Sequence, residues 1–473
     1  MKRILYILPL LFLGCACSEL VEGINQDPNN PTSASYQNIL TGSQVGNIVF
    51  QTGESARRAG IFCGYYTGLE RQHLGFNNYS LTTSDFNALW SDCYIDTYRN
   101  ALETERAAAD EGLAGITLGI AQVMQGMSIG AAAALYGDVP FQEAGQIEIE
   151  NPAYQPQSEV YNQVQVLLDA AIANLETGVD RPAGGADIYF DGNAASWIET
   201  AYTLKARFYM HTKEYANAYA AAQNGISSMA NSLYGPHGTG QEESNLTYLF
   251  FAVEVRGADV KTDDFIVSLL HPDAGTNPIP ENYRGNAKTD ETGRYNFYFS
   301  TTNIGVQPNT ENGFAEQTAP APIVTYEENL LILAEAGYRA QGFDTGLMHL
   351  NEFRAFMNGG GYLRNVPTAD INYEAYVAAD FGAGGVENPD NLSADEALLR
   401  EILEERYVTF FGQLEGFNDM RRTLNESNVA VPVPANVGAD LPARFLYPQT
   451  ELDRNASLPT PIPGLFQTTP VNQ

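Results

Sequence analysis

The sequence predicts a mainly α-helical protein, a scaffold of tetratricopeptide-like helical pairs carrying long irregular loops and a few short strands. Three observations predict it. Apolar residues recur at three- and four-residue steps in segment after segment. Such segments fall into two helical pairs, the first with the small–large alternation of tetratricopeptide-like hairpins and a second late in the chain. Between the helical blocks lie long stretches rich in Gly, Asn, Thr, Asp and Pro, a composition that suits loops on a rigid scaffold.

The chain opens MKRILYILPLLFLGCACS, with two cations, an apolar run, then small residues and two cysteines. That is a secretory signal, too short to span a bilayer as a permanent helix. A cysteine at the expected cleavage site predicts a bacterial lipoprotein, acylated on Cys15 or Cys17, each preceded by a small residue. Each buried CH₂ contributes roughly 0.8 kcal/mol, so two or more chains hold the protein on a membrane. The Asn-, Asp- and Pro-rich residues that follow predict an extended tether up to residue 35.

A helix is then expected over 36–52 and another from Ser84, as N-cap, to about residue 110, with Phe86, Leu89, Trp90, Cys93 and Tyr94 on one face. The almost uncharged stretch 113–135 predicts a central helix packed on several sides, stopped by Gly137 and Pro140. Helices follow over 158–176, then a hairpin over 194–212 and 214–229. A second pair is expected over 327–341 and 345–357, and a last strong helix over 394–411. Loop insertions occupy about 234–322 and 432–463, with strand-like stretches at 248–255 and 295–300.

A formal net charge of −32 repels nucleic acid and anionic lipid, which excludes a nucleic-acid-binding role. Metal-site spacings are missing, the histidines are scattered, and no cofactor is predicted. A GxSxG match at 126–130 lies inside the central helix, where a nucleophile elbow's strand-to-helix turn has no place. Cys63 and Cys93 are able to pair in an exported protein, but two cysteines make no disulfide framework. Trp90 and Trp197 read as core. Glu404, Glu405 and Arg406, with Glu415, Arg421 and Arg422, read as structural salt bridges on the last helices.

Five separated motifs resemble the SusD/RagB-like nutrient-binding outer-membrane lipoproteins, and the length is similar to their shorter SusD-like branch. They are Cys17-Ser18-Glu19-Leu20, Asp27-Pro28-Asn29-Asn30-Pro31-Thr32, Leu135-Tyr136-Gly137-Asp138-Val139-Pro140-Phe141, the helix 326–342, and Glu404-Glu405-Arg406 with the run 415–422. The resemblance favours Cys17 over Cys15 as the lipidated residue. The expected division is a signal over 1–16, an anchor and tether over 17–35, and a single helical domain over 36–473. It implies a binder rather than an enzyme, which captures nutrient at the outer-membrane exterior and passes it to a SusC/RagA-like TonB-dependent transporter. Peptide capture of the RagB kind and a purely structural adaptor role are the alternatives.

Two segments are candidates for the ligand surface. Residues 65–79 mix aromatic and hydrogen-bonding side chains, among them Tyr66, Arg71, His73 and Phe76. Aromatic faces stack on sugar C–H faces while Arg and His bond hydroxyls, so a glycan site needs both. Residues 283–299 offer Tyr283, Arg284, Arg294 and Tyr295, with Tyr295, Phe297 and Phe299 sharing one face if the segment is a strand. The acidic surface and this aromatic–amide mixture make a neutral glycan the expected ligand.

Overall fold

The computed structural model describes residues 34–146 and 148–473. The signal, the tether to residue 33 and the choice between Cys17 and Cys15 lie outside the described residues. Helix α1 (Tyr36–Thr52) begins at Ser35, whose side chain caps it, and ends at Gly53, from which α2 (Glu54–Phe62) starts at once. A short α3 (Arg71–Asn77) follows. The helix expected from Ser84 starts instead in a tight turn, Thr83–Phe86, because Thr82 and Asp85 form a reciprocal capping box just before it. It runs on as α4 (Asn87–Ser91), a π-helical stretch Asp92–Arg99, and α5 (Asn100–Asp110).

Helix α6 (Ile116–Tyr136) carries no charged side chain and is buried on every side except at Leu118. It is long and apolar enough to cross a membrane, yet 94% of its most apolar window is covered by the protein itself. Helices α5, α7 (Gln157–Glu176) and α8 (Ala194–His211) pack around it. Ser128 spends its hydroxyl on the carbonyls of Met124 and Gln125 in the same helix, each at 3.0 Å, so the GxSxG match builds no elbow. Cys63 and Cys93 are both buried and free: the Cys93 thiol points to the Ser128 carbonyl, and no disulfide joins them.

The expected helical hairpin is α8 with α9 (Tyr215–Ala222), which stops well short of residue 229. The buried Asn329 amide donates to the carbonyls of Ala222 (3.0 Å) and Ile226 (3.1 Å) and so terminates the helix there. Before the next pair, α10 (Asp264–Leu270) and α11 (Thr292–Tyr298) occupy the loop region. The second of these replaces the strand expected at 295–300: Arg294, Phe297 and Tyr298 are buried at helical spacing, and only Phe299–Thr302 is extended, paired with Gly305–Pro308. Residues 246–253 are likewise helical rather than strand-like, because Asn245 caps the amides of Thr247 and Tyr248. Five short two-stranded antiparallel ribbons are present among the described residues.

The second pair is α12 (Tyr326–Gln341) and α13 (Phe343–Asn358), followed by α14 (Ala394–Thr409) and α15 (Leu414–Thr423). Thr325 with Glu328, and Ser393 with Glu396, form capping boxes at the starts of α12 and α14. Of the residues expected to form salt bridges on the last helices, Glu405, Arg406, Glu415 and Arg422 enter buried ion pairs, whereas Glu404 and Arg421 form none among the described residues, Arg421 because its guanidinium is spent on carbonyl oxygens and Asn418. Glu335 meets Arg422 at 2.6 Å, Arg339 at 2.8 Å and Arg406 at 3.1 Å. Asp419 bridges Arg406 (2.7 Å) and Arg422 (2.8 Å), while Arg207 binds Glu328 at 2.6 Å and His211 meets Glu415 at 2.8 Å. Arg421 donates to the carbonyls of Ala134 (2.9 Å) and Ala443 (3.0 Å) and so ties the end of α6 to the C-terminal loop.

Candidate functional site

The ribbon of Tyr66–Gly68 with Val260–Thr262 brings α3 against the turn before residue 260, and a cleft of about 430 Å³ opens beside it. Leu69 and Glu70 donate to the Asp259 carbonyl (2.7 and 3.3 Å), which fixes the approach to α3. Arg71 then takes a left-handed backbone, φ 51°, a conformation that costs a non-glycine residue about 1 kcal/mol. Its guanidinium meets buried Asp259 at 3.2 Å while the side chain stays 63% exposed. Arg256 reaches the same carboxylate at 3.0 Å. Opposite, Glu54 binds Arg58 at 2.7 Å and Arg57 Nε at 3.0 Å, and His73 Nε2 lies 3.5 Å from it. Burial alone would raise the Glu54 carboxyl, but Arg57, His73 and Arg58 together hold it well below the usual range.

Of the first candidate segment, Arg71 and His73 line this cleft. Tyr66 and Phe76 do not. Tyr66 is 3% exposed and packs on Phe411, and Phe76 is fully buried against Phe62 and Phe86, so both support the wall from the core side. The sequence reading missed Phe250, Glu254, Arg256 and Asp259, which come from a segment far along the chain. Glu54, Arg57 and Arg58 carried the readable signal, an acid three and four residues before two arginines on one helix.

A second cleft, of about 620 Å³, lies between the loop after α10 and the outer face of α14. Tyr283 stands half-buried on its wall, while Arg284 lies in its floor with a side chain only 2% exposed. Glu291, Glu401 (2.9 Å) and Glu405 (3.0 Å) surround that guanidinium. Arg294 is fully buried beside it, 2.7 Å from Glu405. Burial, opposed by Arg284 and reinforced by Glu387 and Glu405, pushes the Glu401 carboxyl up to about 8. Burial and the neighbouring Glu401 push Glu404 up to about 7. By contrast Arg284 and Arg294 overcome burial at Glu405 and bring it down to about 2. Tyr295 lines neither cleft; its ring rests 4.9 Å from that of His271. The two candidate segments therefore build separate sites.

No curated relative matches the sequence. The fold is shared with solved structures of low identity. A SusD/RagB family protein from Bacteroides thetaiotaomicron is 20% identical, with a TM-score of 0.65, over 90% of this chain and 95% of that one. A chitin-binding SusD homologue from Flavobacterium johnsoniae is 18% identical, with a TM-score of 0.64, over 91% of this chain and 98% of that one. The family whose members are described as starch-binding and associating with the outer membrane matches residues 28–448. The motifs, the paired helices and this match agree: the chain belongs to the SusD-like family.

Proposed function

We propose that the protein captures a neutral glycan at the cell exterior and delivers it to a SusC/RagA-like TonB-dependent transporter, held to the outer membrane through acylated Cys17. Cys15 is the alternative anchor. The carrying observation is the first cleft. Arg71, pinned by Asp259 yet largely exposed, shares it with Arg256, Gln72 and Glu254. Donors and acceptors both line a void of about 430 Å³, which suits the hydroxyls of a sugar. A guanidinium fixed before the ligand arrives loses less freedom on binding. Chitin binding by a structural neighbour supports a glycan over a peptide. The buried, self-bonded Ser128 supports binding without turnover.

Calorimetric titration of neutral oligosaccharide and peptide panels tests this reading. A neutral glycan is expected to bind and to be released unhydrolysed. Arg71→Ala should weaken it by about 1.5 kcal/mol, roughly tenfold, as for a lost hydrogen bond to a charged group. Binding of peptides alone, or a glycan indifferent to Arg71, overturns it. Cys17→Ala should abolish acylation; retained acylation with cleavage before residue 15 would transfer the anchor to Cys15.

A further inference from the structure

Two stretches among the described residues wind as π-helix, a rare form that gathers at functional sites. Leu249–Val253 carries Phe250 into the first cleft. Asp92–Arg99 opens on a third cleft, of about 330 Å³, which the short helix Gln449–Arg454 also lines. The winding decides what this cleft presents. Bonds from i to i+5 bring residue 99 back close to residue 94, whereas at 3.6 residues per turn the two would face about 140° apart. Thr97 takes up the Asp92 carbonyl with its hydroxyl at 2.8 Å. Tyr94, Ile95 and Arg99 thus line one cleft. Tyr94 is fixed there, since its hydroxyl donates to the Pro140 carbonyl at 2.7 Å and its ring stacks on Trp90 at 4.4 Å.

The polar groups of this cleft are unspent. Arg99 and Arg454 are both exposed, and neither has an ion pair or a hydrogen bond among the described residues. The Ser91 and Thr450 side chains are likewise uncommitted, and Asn87 uses only its carbonyl oxygen, on the Thr450 amide. Glu451 is the single carboxylate of the lining, and one of its oxygens already accepts from the Tyr154 hydroxyl (3.0 Å) and the Asn455 amide (3.1 Å). In a chain with 57 acidic and 25 basic residues, two unpaired guanidiniums in one cleft run against the general balance. We infer that this cleft binds the carboxylate of a hexuronic acid residue carried on a glycan. Guanidinium forks match a carboxylate in plane and spacing. The C–H face of the sugar lies along Tyr94 and Ile95, and its hydroxyls meet Ser91, Thr450 and the Asn87 amide. A peptide acid fits less well, because Pro140 and Pro152 in the lining have no N–H to offer a backbone. The net charge of −32 repels every further carboxylate outside the cleft, so the ligand is an otherwise neutral glycan bearing isolated acidic sugars.

This adds a second site to the one at Arg71 and rests on the glycan reading for its class of ligand. The probes are glucuronosyl-xylotriose, the same oligosaccharide with its carboxyl reduced to the alcohol, and an aspartate-bearing hexapeptide, each titrated into the mature chain. The acidic oligosaccharide is expected to bind about tenfold more tightly than its reduced counterpart, an advantage that shrinks as salt is raised. Arg99→Gln and Arg454→Gln should each remove most of that advantage and leave both the reduced counterpart and the urea midpoint unmoved, since these side chains are exposed and unpaired. Arg71→Ala should leave the advantage in place. Equal binding of the two oligosaccharides, an acid preference that survives both Gln substitutions or is lost with Arg71→Ala, or a response of the peptide alone overturns the inference while neutral-glycan capture stands. If no glycan, neutral or acidic, binds the unaltered chain, both readings fall.

Discussion

Gly130 lies where α6 crosses α8, and a Cβ placed there would stand 2.1 Å from the Phe208 ring. Phe208 is buried, so its ring has little room to yield, and Gly130→Ala should cost about 1–3 kcal/mol by overpacking. Urea unfolding should show a lower midpoint with an unchanged slope; an unchanged midpoint would mean the two helices can part. A second residue-scale expectation concerns protons. Burial pushes Glu401 up to about 8 and Glu404 up to about 7, so both hold their protons to higher pH in the folded chain than in the unfolded chain, where carboxyls ionise near 4.5. Between those values the unfolded state binds fewer protons, so their contribution to stability falls as pH rises from about 4.5 to 8. Glu404→Gln should narrow the difference between urea midpoints taken at pH 5 and pH 8, and a gap as wide as before would refute the raised carboxyl. Burial also pushes the Cys63 and Cys93 thiols up. Neither should react with an alkylating reagent until denaturant is added, as intact mass would show.

Among the elements, the long periodic helices were legible because a buried stripe dictates its own spacing. The boundaries at 36–52, 158–176 and 194–212 agree with the structure to within a residue. At α9 the reading failed because a polar side chain acting over distance decided the outcome. Asn329 ends α9 from more than a hundred residues away, and no local pattern announces it. Asn329→Ala leaves the Ala222 and Ile226 carbonyls buried and unmet, and should cost about 1–3 kcal/mol; amide exchange in α9 should rise more than in α7. The strand expected at 295–300 failed similarly: its alternating aromatics are as compatible with a helix, and the buried carboxylates that hold Arg294 come from Glu291 and Glu405. Arg71 and His73 were legible as site residues because their loop is dense in polar and aromatic groups. Phe250 and Asp259 were not, since only the ribbon between Tyr66–Gly68 and Val260–Thr262 brings them near.

For the molecule as a whole, the lattice of Arg207, Glu328, Glu335, Arg406, Glu415, Asp419 and Arg422 joins α8, α12, α14 and α15. Removing one member leaves charges buried without partners, so Arg422→Ala should cost about 3–5 kcal/mol, read as a fall in the thermal midpoint; a loss below about 1 kcal/mol would mean water replaces it. The lattice also has a mechanical meaning. Sliding α15 along α12 and α14 by a single turn, about 5.4 Å, would break the Glu335–Arg422 and Asp419–Arg406 pairs together rather than one after another. It is a shear lock. Hydrophobic contacts tolerate small slips because they have no preferred direction, whereas these paired charges resist them. A load applied at one end of the helical body is thus transmitted to the other with little internal give.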